Sequence, residues 1–175
     1  MKSALIVLLL AASAFAQKPS GSATSACGPK DVSFDVKLDK TQHTLADPDP
    51  GKALVYFIQE KGSDALMGLD GAWVGQTKKS SYFAVSVEPG EHHVCAEVHT
   101  PRGIPGVPVG FLHFTAEAGN VYCFDARVVY GAESYLFLSA VDSDEARYLI
   151  NSLPLSVSTP STPATLKKDQ FFPQH

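Results

Sequence analysis

The chain has no run of Lys or Arg longer than two, and its formal net charge is −4. A nucleic-acid partner needs clustered cations to neutralise phosphates and release counterions, so the composition excludes that class. Also missing are a nucleophile elbow, a phosphate-cradling glycine loop, an HExxH helix and any paired-carboxylate constellation. Asp47 and Asp49 in LADPDPG alternate with prolines and lack the ligand spacing of a calcium loop. These absences argue against an enzyme and against a bound cofactor. Long hydrophobic runs are absent too. The apolar stretch Ala4 to Ala12 is far shorter than the roughly 20 residues a membrane-spanning helix needs, so no transmembrane anchor is expected.

That short run has another meaning. Lys2 precedes it and Ala14-Phe15-Ala16 follows, which is the basic, apolar and small-x-small order of a secretory signal peptide. Residues 1–16 are therefore expected to be removed, leaving a soluble secreted or periplasmic chain that starts at Gln17. Its net charge is one unit more negative once Lys2 has gone. Cys27 follows Thr24-Ser25-Ala26 and lies well past the apolar run, which argues against a lipid anchor. Export makes disulfides possible.

Residues 17–30 begin with QKPSGSATSA, small and polar, and read as a flexible tether. Residues 154–175 are rich in Ser, Thr and Pro and read as a disordered tail. The remaining 31–153 should form one domain with its own core.

Through that domain the hydrophobic period is two, not 3.6. Val32, Phe34, Val36 and Leu38 alternate with polar residues. Leu54-Val-Tyr-Phe-Ile58 is apolar on both faces, as in a central strand. Further alternation runs through Phe83–Val87, Leu112–Ala116 and Tyr122–Val128, and Tyr135-Leu-Phe-Leu138 adds a short strand. Asp70-Gly71 is a strong two-residue hairpin signal, and Pro89-Gly90 and Gly119-Asn120 mark other turns. Short strands punctuated in this way predict a mainly β fold. The expected form is an antiparallel β-sandwich, Ig-like or transthyretin-like, with one short C-terminal helix. That helix is expected near 143–153. Asp142 or Ser143 caps it, Ala146, Leu149, Ile150 and Leu153 form its apolar stripe, and Pro154 stops it.

The densest chemistry lies in VEPGEHHVCAEVH, Val87 to His99. If Val94, Ala96 and Val98 face inward, then His93, Cys95, Glu97 and His99 face outward. Neighbouring strands could add His113 and Cys123, and imidazoles with a thiolate suit zinc or copper. Geometry opposes this, because side chains two apart on a strand are about 7 Å from each other. A metal site using His93, His99 and His113 is the alternative reading, and ordinary surface histidines are the first. Three cysteines cannot all pair within one chain, and a cross-strand Cys95–Cys123 bridge is open.

The hairpin register pairs Leu69 with Ala72 and Gly68 with Trp73. Leu69, Ala72, Met67 and Val74 then face the core, and Trp73, the only Trp, lies over a glycine on the outer face. Such a Trp can stack on a sugar or anchor a peptide, unless a neighbouring loop or the tether covers it. The proline-rich loop TPRGIPGVPVG, Thr100 to Gly110, can offer Ile104 and Val107 beside it.

Several segments in order carry a resemblance. These are GKALVYFIQE, GLDGAWVGQTKKSSYFAVSVEPGEHHVCAEV, FTAEAGNVYCFDARVV and VDSDEAR. Together they resemble an uncharacterised family of exported bacterial domains of unknown function. The resemblance implies a β-sandwich, export, no known catalytic residues and no assigned ligand. It also implies a Cys27–Cys95 disulfide with Cys123 left as a thiol, because that family has cysteines at the first two positions and commonly Tyr at the third. The middle segment is similar to PEGA domains of bacterial surface proteins through Asp70-Gly71, Gly75, Thr77 and Pro89-Gly90-Glu91-His92. That similarity implies a cell-surface interaction module. The expectation is an exported, non-enzymatic module binding an envelope or extracellular protein or glycan through Trp73, Ile104 and Val107.

Overall fold

The computed structural model of the chain describes residues 27–29, 32–42, 45–98, 109–129 and 135–161. The expected signal peptide, most of the tether, the loop residues Ile104 and Val107, His99 and the segment 162–175 lie outside the described residues.

In chain order the elements are β1 (Ser33–Asp39), β2 (Ala53–Gln59), β3 (Ala65–Leu69), β4 (Ala72–Thr77), β5 (Ser81–Val87) and β6 (Gly90–Val98). There follow β7 (Val109–Ala116), β8 (Val121–Val129), β9 (Tyr135–Ala140), α1 (Ser143–Ser152) and β10 (Leu155–Ser161). They form a six-stranded sheet ordered β1-β10-β5-β2-β8-β9 and a four-stranded sheet ordered β4-β3-β6-β7.

The two sheets pack as a β-sandwich around Val55, Phe57, Met67, Phe83, Val94, Ala96 and Phe124. Helix α1 lies on the far side of the larger sheet. There Ala146, Leu149, Ile150 and Leu153 cover Leu54, Tyr56, Ile58 and Cys123. This third layer explains why β2 is apolar on both faces. The Asp142 carboxylate caps α1 by accepting the backbone N–H groups of Asp144 and Glu145 at 2.9 and 3.0 Å.

Three differences from the sequence reading have physical causes. First, the larger sheet is mixed. β8 runs parallel to β2, and β10 meets β5 in parallel through Leu155 and Tyr82. Alternation reports which face a residue takes and says nothing of strand direction. Second, the stretch 155–161 is not tail but β10, antiparallel to β1 from Ser33↔Ser161 to Asp39↔Leu155. Its serines, read as signs of disorder, satisfy backbone groups of β4 instead. Ser158 Oγ accepts from Gln76 N–H and donates to Gln76 C=O, both at 3.0 Å, and Ser156 Oγ accepts from Lys78 N–H at 3.3 Å. That contact shields an edge strand, which is otherwise a template for aggregation. Pro160 is tolerated because past Leu155 only one side of β10 is paired with a strand. Third, Cys95 and Cys123 share no surface. Cys95 is on the smaller sheet, and Cys123 is buried on the larger one under α1.

The β3–β4 hairpin has the expected turn. Asp70 and Gly71 both take positive φ, 51° and 86°, as a two-residue hairpin loop demands. Leu69 pairs with Ala72 and Gly68 with Trp73. The register then shifts, so Met67 pairs with Gly75 and Val74 is bulged. Met67, Leu69 and Val74 reach the core as expected, but Ala72 sits exposed at the hairpin tip.

Candidate functional site

One row of side chains crosses the outer face of the smaller sheet. Gly68 pairs with Trp73 on one side and Cys95 on the other, and Cys95 in turn pairs with Phe111. Cys95 is fully buried, because a disulfide joins it to Cys27, with Cα atoms 5.1 Å apart. The bond straps Cys27 to Pro29 across the sheet. The Trp73 indole Nε1–H donates to the Pro29 carbonyl at 2.8 Å. Gly28 lies directly on the indole, where a Cβ would collide with the ring. Trp73 is thus on the outer face, as expected, and half-buried beneath the strap.

The two adjacent histidines of β6 behave differently, since alternation sends them to opposite sides. His92 points to the core side, stacks near Phe114 at 5.5 Å between ring centroids, and uses both ring nitrogens. Nδ1 lies 2.6 Å from Asp70 Oδ2 and Nε2 lies 2.7 Å from the Glu88 carbonyl oxygen. Both partners only accept, so both bonds form together only when the ring is a doubly protonated imidazolium. Burial works against that charge, but the bonds to Glu88 and Asp70 outweigh it and hold the His92 pKa above its ordinary value. Asp70 completes the link by accepting His93 N–H at 2.8 Å. His92 is therefore a structural tie between two turns.

His93 faces outward, directly opposite His113 on β7, with ring centroids 6.3 Å apart. The structure thus brings together two of the three predicted metal candidates. No group of three or more His, Cys, Asp or Glu residues able to hold a metal ion occurs among the described residues. Cys123 is no part of such a group. Burial pushes its thiol up to about 11, which makes it a poor nucleophile and ligand at neutral pH.

The most conspicuous surface went unnamed in the sequence reading. At one side of the sandwich β7 and β9 close against each other. The fit is tight at Gly110, where a Cβ would fall 2.9 Å from the Leu136 carbonyl oxygen. Flanking that crossing, Val109 and Phe111 on β7 are 38% and 51% exposed, and Tyr135 and Phe137 on β9 are 51% and 53% exposed. Val129, opposite Tyr135, is exposed too. The signal was present in the alternation. Leu112 and Phe114 face the core, which turns Phe111 outward, and Leu136 and Leu138 do the same for Tyr135 and Phe137. Next to this patch on β8, Arg127 pairs with the buried Asp125 at 2.9 Å.

No helix among the described residues is long and apolar enough to cross a membrane. A disulfide is at home in an oxidising compartment, which is compatible with an extracellular or periplasmic location. Compared with family models, with curated proteins and with solved structures, the chain gives no match.

Proposed function

We propose that this chain is an exported, non-enzymatic binding module that engages an envelope or extracellular protein or glycan through the β7–β9 seam. The observation that carries the reading is the cluster of large exposed apolar side chains around the Gly110–Leu136 crossing, above all Phe111 and Phe137. Scattered apolar residues on a surface need no explanation, but several large apolar side chains exposed along two abutting strands, with Tyr135 and Phe137 in ring contact, mark a contact site. Aromatics bury large areas at low cost in side-chain freedom, and they dominate binding energy when a partner covers them. The rigid support matters as well. Both strands pack their alternate residues into the core, so the contact face is ordered before binding.

Trp73 has a different role in this reading. It seats the disulfide strap and stiffens the sheet that carries Phe111. The resemblance of the Asp70-Gly71 and Pro89–His92 turns to PEGA surface modules points toward the same class of function. The test is capture from an envelope fraction by the native protein and by a Phe111→Ser/Phe137→Ser variant of unchanged thermal midpoint. Partners held by the native protein and by Tyr148→Ser, but lost from the seam variant, support the proposal. Tyr148 is a fair control because it is an exposed aromatic carried by α1 and not by β7 or β9. Equal capture by all three proteins rules it out.

A further inference from the structure

We propose that His93 and His113 form a two-imidazole chelating site for a late first-row divalent cation on the outer face of the smaller sheet. The pair is directly opposed across β6 and β7. Both rings are exposed, and among the described residues neither makes a hydrogen bond or ion pair that would have to be broken. That sets His93 apart from its neighbour His92, whose two nitrogens are both engaged.

The spacing suits chelation. Two imidazoles sharing one ion at metal–nitrogen distances of about 2.0–2.1 Å bring their ring centres to roughly 5 Å. The observed 6.3 Å is about 1 Å wider, which small rotations of exposed side chains can close. The backbones need not move, because they are already held at ladder distance. On either side along the strands the same face carries the Glu91–Thr115 pair and the Cys95–Phe111 pair. Glu91, one outward position from His93, is not grouped with the pair as a third ligand, and water fills the remaining coordination positions.

The donor set defines the ion. Neutral imidazole nitrogens favour Cu²⁺, Ni²⁺ and Zn²⁺ over the oxygen-seeking Ca²⁺ and Mg²⁺. Two protein ligands leave open positions, so the ion can also take a donor from a partner. Phe111 is the next outward residue on β7, which places that ion at the border of the seam. The site does not depend on the seam's function, and either can fail alone.

The experiment is calorimetric titration of the full, tag-free protein with Ni²⁺ and, separately, Zn²⁺. Expected is one saturable site whose affinity falls at least tenfold in His93→Ala and in His113→Ala, with the double variant little weaker than either single one. Binding should weaken as the pH is lowered, because the ligands must be neutral. Both variants should keep the native thermal midpoint without metal, because the side chains are exposed. Histidine carbon–proton NMR spectra should show two rings perturbed together on metal addition. Absence of saturable binding overturns the proposal, and so does binding that survives both single substitutions.

Discussion

Reduction of the Cys27–Cys95 bond should act on the whole fold and on one chromophore at the same time. The two cysteines are 68 residues apart in sequence. In the chain-entropy treatment, opening a loop of that length costs at most about 4 kcal/mol of stability. For a domain of this size that corresponds to a fall in thermal midpoint on the order of 10 °C. The local effect is more specific. Trp73 is the only tryptophan, so native fluorescence reports on the strap alone. With Cys27 released, the Pro29 carbonyl and Gly28 no longer hold the indole, and water reaches it. Emission should move to the red and acrylamide quenching should rise, well below the unfolding temperature. Cys27→Ser should reproduce both changes without reductant. If the reduced protein keeps the emission and quenching of the oxidised form, the strap does not cover Trp73 and the reasoning fails.

His92 predicts a pH dependence. Its folded-state pKa is raised, so its tie to Asp70 and Glu88 contributes stability fully below the ordinary value of about 6.5 and loses it as pH rises through the folded value. Thermal midpoints of the native protein and His92→Gln should therefore converge as pH rises above neutral, and a constant gap would contradict the doubly protonated ring. Ser158→Ala should cost about 1–3 kcal/mol in chemical denaturation, because Gln76 N–H and C=O lose their shared partner. A negligible loss would mean that β10 shields β4 by packing alone. Cys123 should resist alkylation at pH 8 in the native protein and react readily in denaturant, since burial holds the thiol near 11. Fast native labelling would put it outside the core.

The face each residue takes was largely legible before the structure, because a period of two is a local property. Val94 and Ala96 are buried where alternation put them, and the Gly68–Trp73 register follows from two turn residues. The helix was legible through Asp142 and the Ala146–Leu153 stripe. Less legible was anything set by pairing between distant segments. The parallel alignment of β2 with β8 leaves no mark in either strand. β10 misled because Ser156 and Ser158 look like linker residues until the β4 backbone is placed beside them. The disulfide pairing came from resemblance, and composition alone allowed Cys95–Cys123 equally well. The seam was legible in pieces only. Phe111 and Phe137 are far apart in the chain, and only the closure of β7 against β9 puts them on either side of one crossing.

The central claim is that the β7–β9 seam is where this module meets its partner. Hydrogen-exchange mass spectrometry of the native protein, alone and with the partner captured from the envelope fraction, tests it most directly. The account predicts added protection in β7 from Val109 to Phe114 and in β9 from Tyr135 to Ser139. Segments of α1 around Tyr148 should be unchanged. Protection confined to α1, or to the Glu60–Asp64 end of the sandwich, would contradict the account.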